Sequence, residues 1–340
     1  MSSSRKIMVS FIRMPQEFHA GSKISADLSI IMQRMGHEYR YFPYININRN
    51  LRRICYPFFP LKYAFSFRRG DEVFIQYPFD MMHDAVKTLL RLASPLLKLR
   101  KVKSTAIVID LESVRWNSGT DLTEDLKILN LFQKVIIHTP EMKQMLLDAG
   151  YNGEIAIMGL FDYLVSAPFT GERRNTGDIC FAGNLEKSVF VGKLNDVDGD
   201  VRFNLYGKGF PEGLESDKVH FCGVVSPDDV SVFEGSWGLV WDGDEVSEFS
   251  GSLAHYMRFN SPHKASLYVS AHLPIIAPSG TAVGNEVLRR GIGITVDSLN
   301  DISSRISAVS DAEYDRMMAN TEAFAKEINT GLQLKKSLDA

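Results

Sequence analysis

A few short segments carry residue types suited to a phosphate or to a hydroxyl proton. Asn260-Ser261-Pro262-His263-Lys264 precedes an apolar run from Ala265 to Ala271, with proline placed to open a helix. The first N–H groups of a helix lack intrahelical partners and carry partial positive charge, so they attract phosphate. Lys264 would add a full charge and His263 a further donor; a capped surface helix with a stray lysine is the competing reading. Ala182-Gly183-Asn184-Leu185-Glu186-Lys187 ends another apolar run. Gly183 permits close backbone approach and Lys187 could reach a second phosphate oxygen, although Asn184 could equally cap a plain turn. Gly21-Ser22-Lys23 forms the matching loop after the first apolar run, with the same two readings.

The carboxylates divide similarly. Asp110 follows Ile107-Val108-Ile109, with Glu112 and Arg115 close behind. Ionised at neutral pH, it could take a proton from a hydroxyl as general base, or simply cap the next turn. Trp241-Asp242-Gly243-Asp244 matches an Asp-x-Asp pattern that can hold Mg²⁺ or Mn²⁺ on a nucleotide diphosphate. Such a turn also forms for local reasons, and Asp242 is favoured here as a polar contact to a sugar or as a cap. His138 ends an apolar run and reads as a structural histidine. Gly207-Lys208-Gly209 lacks the rest of a dinucleotide fingerprint, and no G-x-S-x-G, H-E-x-x-H or Walker A pattern occurs.

Placing these residues requires a scaffold, and the apolar runs supply one. Strands are expected at 7–12, 72–76, 105–110 and 134–138, with helices at 25–35, 80–99, 122–131 and 140–149. A second cycle has strands at 178–182, 201–206, 218–222, 237–241, 274–277 and 292–296, and helices at 262–272, 281–289, 298–309 and 311–328. Alternating strands and helices indicate α/β domains with doubly wound parallel sheets. The polar segment Thr170 to Gly177 reads as a linker, with the hinge between 160 and 177. Two Rossmann-like domains, 1–165 and 166–325, would face each other across a cleft where ligands meet strand carboxyl ends.

Composition sets the outer limits. The 340 residues are 23% charged and 45% hydrophobic, which excludes disordered and fibrous classes. Three cysteines, Cys55, Cys180 and Cys222, make no C-x-x-C pair, so a structural zinc or a disulfide framework is not expected and a reducing cytoplasm fits. The N-terminal apolar run is too short for a signal peptide, and no stretch is long enough to span a bilayer. Net charge is −3, yet residues 1–105 hold 18 Lys+Arg against 7 Asp+Glu. Arg49, Arg52, Arg53, Lys62, Arg68 and Arg69 alternate with Tyr56, Phe58, Phe59, Tyr63, Phe65 and Phe67. Lys87, Arg91, Lys98, Arg100, Lys101 and Lys103 accompany a leucine-rich run. Such faces suit an anionic membrane surface, or a core helix with a solvated cationic side. Single-stranded nucleic acid ranks lower, since no RRM or zinc pattern supports it.

One ordered series of segments resembles a known family. It comprises Phe161-Asp162-Tyr163-Leu164-Val165-Ser166, Phe181-Ala182-Gly183-Asn184-Leu185, Gly238 to Asp244, Ser250-Gly251-Ser252, Tyr256 to Tyr268 and Leu273-Pro274-Ile275-Ile276. The series resembles bacterial β-1,6-galactofuranosyltransferases of O-antigen synthesis and, more distantly, the glucosyltransferases that extend GlcNAc on surface adhesins. Ala20-Gly21-Ser22-Lys23, Asp110 and Arg115 extend it loosely into the first half. The resemblance implies a GT-B fold, with a C-terminal helix over 326–340 returning to the first domain. It implies a UDP-sugar substrate with no cofactor and no metal, a glycan or lipid-linked acceptor, and a homo-oligomer; a lipid-linked acceptor would explain a basic, aromatic-rich first domain resting on the inner membrane face. Carried over by position, Lys187 and the helix start Pro262-His263-Lys264-Ala265-Ser266, after Asn260, become nucleotide contacts. Gly223 and Val224 become a uracil edge, and Gly21 and Ser22 a loop near the donor. Where relatives have His-Asp, this chain has Ile109-Asp110, which bears on the base assignment.

Overall fold

The computed structural model describes residues 4–11, 20–41, 58–78, 83–117 and 121–340, with the backbone alone at 20–22, 59, 83–85, 116 and 117. The first half builds β1 (Lys6–Ser10), α1 (Ala20–Arg34), β2 (Glu38–Tyr41), α2 (Phe58–Phe65), β3 (Glu72–Tyr77), α3 (His83–Leu99), β4 (Lys103–Val108), α4 (Glu112–Asn117), α5 (Thr123–Leu129), β5 (Lys134–Ile137), α6 (Pro140–Asp148) and β6 (Glu154–Ile157). All strands pair in parallel, in the order β2-β1-β3-β4-β5-β6. Alternate residues serve opposite faces, as a period of two demands. Ile7, Val9, Val73, Ile75, Ala106 and Val108 face one core, whereas Met8, Phe74, Ile107 and Ile136 face the other.

The second half repeats the scheme with β7 (Ile179–Ala182), β8 (Phe203–Tyr206), β9 (Val219–Gly223), β10 (Trp237–Leu239), α7 (Ser252–Met257), α8 (His263–Ser270), β11 (Ile275–Pro278), α9 (Ala282–Arg290), β12 (Gly293–Val296), α10 (Ile302–Ser307), α11 (Asp311–Ile328) and α12 (Leu332–Asp339). Its parallel sheet runs β12-β11-β10-β7-β8-β9. Both sheets are covered on two sides, so the central strands read as unbroken apolar runs. No helix among the described residues is long and apolar enough to cross a membrane.

Several elements differ from the sequence expectation. β2 is a half-exposed edge strand, Glu-Tyr-Arg-Tyr, with no apolar run to reveal it. The six-residue helices α4 and α7 are too short for periodicity to show. The 298–309 helix splits into a 3₁₀ turn, Leu299–Asp301, and α10. α1 begins at Ala20 rather than near residue 25, so Gly21 and Ser22 lie in its first turn and not in a loop. Arg49, Arg52, Arg53, Cys55 and Tyr56 lie outside the described residues.

The chain closes by crossing back. Gly331 adopts φ +85 and passes so close to α1 that a Cβ there would stand 2.6 Å from Ile31 Cγ2. α12 then sets Leu334, fully buried, into the core formed by Met8, Ile24, Leu28 and Met158 of the first domain. The Asp162 carboxylate accepts the Gln333 and Leu334 N–H groups at 3.0 and 2.7 Å, satisfying donors that the helix start leaves open. Burial still dominates there and raises the Asp162 carboxyl to about 7.

Candidate active site

Two residues past β4, Asp110 stands where the strand releases the chain, with the Ile109 N–H held to Tyr77 O at 2.6 Å. One carboxylate oxygen pairs with the Arg115 guanidinium, presented one helical turn later by α4. The other accepts a hydrogen bond of 3.2 Å from the Tyr256 hydroxyl of α7 in the second domain. That hydroxyl accepts in turn from the Leu111 N–H at 2.9 Å. Tyr256 is buried within the core of the first domain, so it joins the two halves at the Asp110 turn. Desolvation raises the Asp110 carboxyl above its usual range, while Arg115 and Tyr256 pull it back. A partly desolvated carboxylate is a stronger base than one in water.

Across from it, α8 starts at the carboxyl ends of the second sheet. Pro262 is the N-cap, at φ −62 and ψ 137, rather than the first helical residue, and no side chain caps this end. Lys264 reaches back to Asp242 Oδ1 at 2.6 Å and Trp241 O at 3.3 Å, with its ammonium 4.7 Å from the Phe181 ring centroid. A helix start and a lysine therefore converge on the end of β10, an arrangement suited to a diphosphate. Asp244 faces elsewhere: a Cβ on Gly251 would lie 2.3 Å from its Oδ2. Among the described residues no group of three or more His, Cys, Asp or Glu could hold a metal.

The remaining helix-start residues depart from the phosphate expectation. His263 turns into an aromatic cluster, 4.8 Å from Tyr163 and 5.8 Å from Phe161 between ring centroids, and burial lowers its pKa to about 3. It is neutral at pH 7 and adds no charge to the helix start. Ser266 spends its hydroxyl on Phe161 O at 2.8 Å, and Ala265 is fully buried. Asn260 Oδ1, Ser261 Oγ and His263 Nε2 are buried without hydrogen-bond partners. His138 is structural, as its setting suggested. Its Nε2 donates to Val108 O at 2.7 Å, its Nδ1 accepts from Ser261 N at 3.5 Å, and burial lowers its pKa to about 4.

The loops after β7, β8 and β9 lock together beside this helix. Gly183 N donates to Tyr206 O at 3.0 Å, Leu185 N to Lys208 O at 2.9 Å, and Gly207 N to Gly223 O at 2.9 Å. Gly207 has φ +137, and a Cβ would stand 1.7 Å from Gly183 O, so only glycine fits. Asn184 Oδ1 accepts from Lys187 N at 3.0 Å, which makes Asn184 the turn cap and leaves the exposed Lys187 side chain as the candidate contact. Gly223 and the 60% exposed Val224 border the same edge.

Sequence reasoning missed the clamp between the domains. Lys23, buried on α1, binds Asp27 Oδ1 at 2.7 Å, Asp228 Oδ1 at 2.8 Å and Leu164 O at 2.6 Å. Asp228 belongs to the second domain, and nothing local to residue 23 announces it. Tyr256 stands in the sequence only as one letter of the series that carries the family resemblance, with no role attached.

Two six-stranded parallel sheets, joined by such contacts and topped by a helix start at the strand ends, define the class. Solved structures share the architecture. HepE from Anabaena, in complex with UDP-glucose, superposes with TM-score 0.59 at 13% identity, covering 98% of this chain and 99% of that one. The trehalose-6-phosphate synthase OtsA superposes with TM-score 0.58 at 12% identity, covering 99% and 98%. The fold is that of GT-B glycosyltransferases. Family models for the Glucosyltransferase 3-like N-terminal domain and C-terminal domain match residues 6–160 and 179–340. The chain belongs to this Glucosyltransferase 3-like family of glycosyltransferases. It is 27% identical to the β-1,6-galactofuranosyltransferase WbbI of Escherichia coli K12 over 71% of this chain and 72% of that protein. It is 25% identical to Glucosyltransferase 3 of Streptococcus gordonii over 71% of each.

Proposed function

We propose that the protein transfers a hexose, galactofuranose in first place and glucose in second, from its UDP-sugar to a glycan acceptor in surface polysaccharide synthesis. Anomeric configuration inverts in one displacement. The acceptor hydroxyl oxygen bonds to the anomeric carbon while the bond from that carbon to the β-phosphate oxygen breaks. The electron pair leaves with UDP, and the hydroxyl proton passes to Asp110. Lys264, Lys187 and the α8 N-terminus stabilise the departing diphosphate, so no metal is required. The backbone at Gly223 and Val224 borders the uracil, and Asp242 turns to the sugar when Lys264 turns to phosphate.

The observation carrying this reading is Asp110 itself, a carboxylate of raised pKa held by Arg115 and Tyr256 beside the cleft. The similarity to WbbI supports the choice of donor. The test is UDP release from purified protein with a panel of UDP-sugars, with and without EDTA, alongside UDP binding by calorimetry. Turnover with UDP-galactofuranose, indifferent to EDTA and lost in Asp110→Asn by about 10²–10⁴-fold with UDP affinity intact, is expected. EDTA sensitivity would return Asp242 and Asp244 to a metal. Binding of UDP with no turnover by either protein would make this a non-catalytic partner of another transferase.

A further inference from the structure

α2 and α3 lie side by side over one face of the first sheet, where Tyr63, Ala64 and Phe67 pack with Leu90, Ala93 and Leu97. Their outer faces are unusual. On α2, Phe58, Leu61, Lys62 and Phe65 recur at helical spacing and all are exposed, Phe58 by 66% and Phe65 by 61%. On α3, Leu92, Pro95 and Leu99 form the matching exposed stripe, and Leu99 is 80% exposed. The two stripes adjoin, because Arg100 at the end of α3 stacks 4.9 Å from the Phe65 ring centroid and donates to Phe67 O at 2.8 Å. A soluble surface rarely offers aromatic and aliphatic side chains in such a row.

Residues 58–70 and 85–101, which carry the stripes, bear only positive charge, while Glu124 of the neighbouring α5 lies within electrostatic reach of Arg91. Lys62, Arg68, Arg69, Arg91, Lys98 and Lys101 are exposed beside them. No Asp or Glu occurs anywhere in residues 39–70 or 85–109. An acidic protein groove would supply charge, but an interfacial bilayer surface supplies both anionic headgroups and an apolar layer a few ångströms deeper.

We propose that the α2–α3 face is a membrane-docking surface, seating Phe58, Leu61, Phe65, Leu92 and Leu99 below the headgroups of an anionic bilayer while the surrounding lysines and arginines pair with lipid phosphates. The surface lies on the first domain, which also carries Asp110, so docking would hold that domain at the membrane, where a lipid-carried acceptor resides. It goes beyond the proposed activity and does not depend on which sugar is donated.

The experiment is co-sedimentation of the full chain with vesicles of phosphatidylglycerol and phosphatidylcholine in a one-to-three ratio, against phosphatidylcholine alone, over a salt series. Binding to the anionic vesicles at least about tenfold stronger, and weakened by salt, is expected. The triple variant Phe58→Ser, Leu61→Ser, Leu99→Ser and the double variant Arg91→Glu, Lys98→Glu should each lose about tenfold or more in vesicle binding. Both alter exposed positions, so melting temperature and UDP affinity should stay at wild-type values, which separates this test from that of the donor site. Equal binding to both vesicle types, or none, overturns the proposal. Loss in the charge variant with full binding in the apolar variant also overturns it, and would mark a general polyanion site such as one for nucleic acid.

Discussion

The Tyr256 hydroxyl, from the second domain, donates to Asp110 of the first across 3.2 Å and holds the Leu111 N–H at 2.9 Å. The orientation of the candidate base thus depends on a residue 146 positions away, carried by the second domain and anchored in the core of the first. Tyr256→Phe keeps the ring and removes both bonds. It should cost about 1–3 kcal/mol in urea unfolding, because a buried N–H loses its acceptor. Since the Tyr256 bond lowers the Asp110 pKa, the acid limb of the kcat/KM profile should move to higher pH, and UDP affinity should not change. An acid limb that stays in place would detach Asp110 from the chemistry.

Lys264 has a partner within the chain, Asp242 at 2.6 Å. A phosphate must compete with that carboxylate. Lys264→Ala should weaken UDP binding by about 1.5–3 kcal/mol, whereas Asp242→Asn should leave it equal or tighter. Calorimetric titration with UDP reads both; a tenfold loss in Asp242→Asn would mean that Asp242 itself holds the nucleotide.

His263 and Asp162 give opposite pH signatures. The folded His263 titrates near 3 and its ordinary value is 6.5, so the native state binds fewer protons between them. Its stabilising contribution is present above pH 6.5 and is lost as pH falls toward 3. The folded Asp162 titrates near 7 against 3.8, so its contribution is full below 3.8 and is lost as pH rises through 7. His263→Phe should flatten unfolding free energy on the acid side, and Asp162→Asn should flatten it between pH 4 and 7. Urea midpoints measured across pH check both slopes.

Gly207→Ala should destabilise by more than about 3 kcal/mol, since its Cβ would meet a backbone oxygen at 1.7 Å and the φ is left-handed. Gly192→Ala is the control: it meets nothing within 4 Å, and its melting temperature should stay near wild type.

The doubly wound sheets were legible because buried parallel strands write themselves as apolar runs, as around Ile136 and Ile276 in interior strands. β2 was not, since an edge strand with one wet side needs no such run. The α8 start and Asp242 were legible as chemistry, but their mutual contact was not. His263 shows why: a histidine next to a phosphate-type lysine looks like a second donor until packing turns it toward Tyr163. Residue types reveal what a side chain can do; its direction is set by neighbours distant in sequence, such as Asp228 for Lys23.

The return of α12 has a consequence for synthesis. Leu334 fills a core walled by Met8, Ile24 and Met158 among others, so that core stays open until residue 334 has been made. The N-terminal domain emerges first from the ribosome yet cannot finish before the C-terminal one. A purified fragment of residues 1–330, which keeps α11 whole and lacks α12, should therefore hold a protease-resistant second sheet beside a first domain that is cut readily near α1. Vectorial assembly here leaves β1 and α1 waiting for α12.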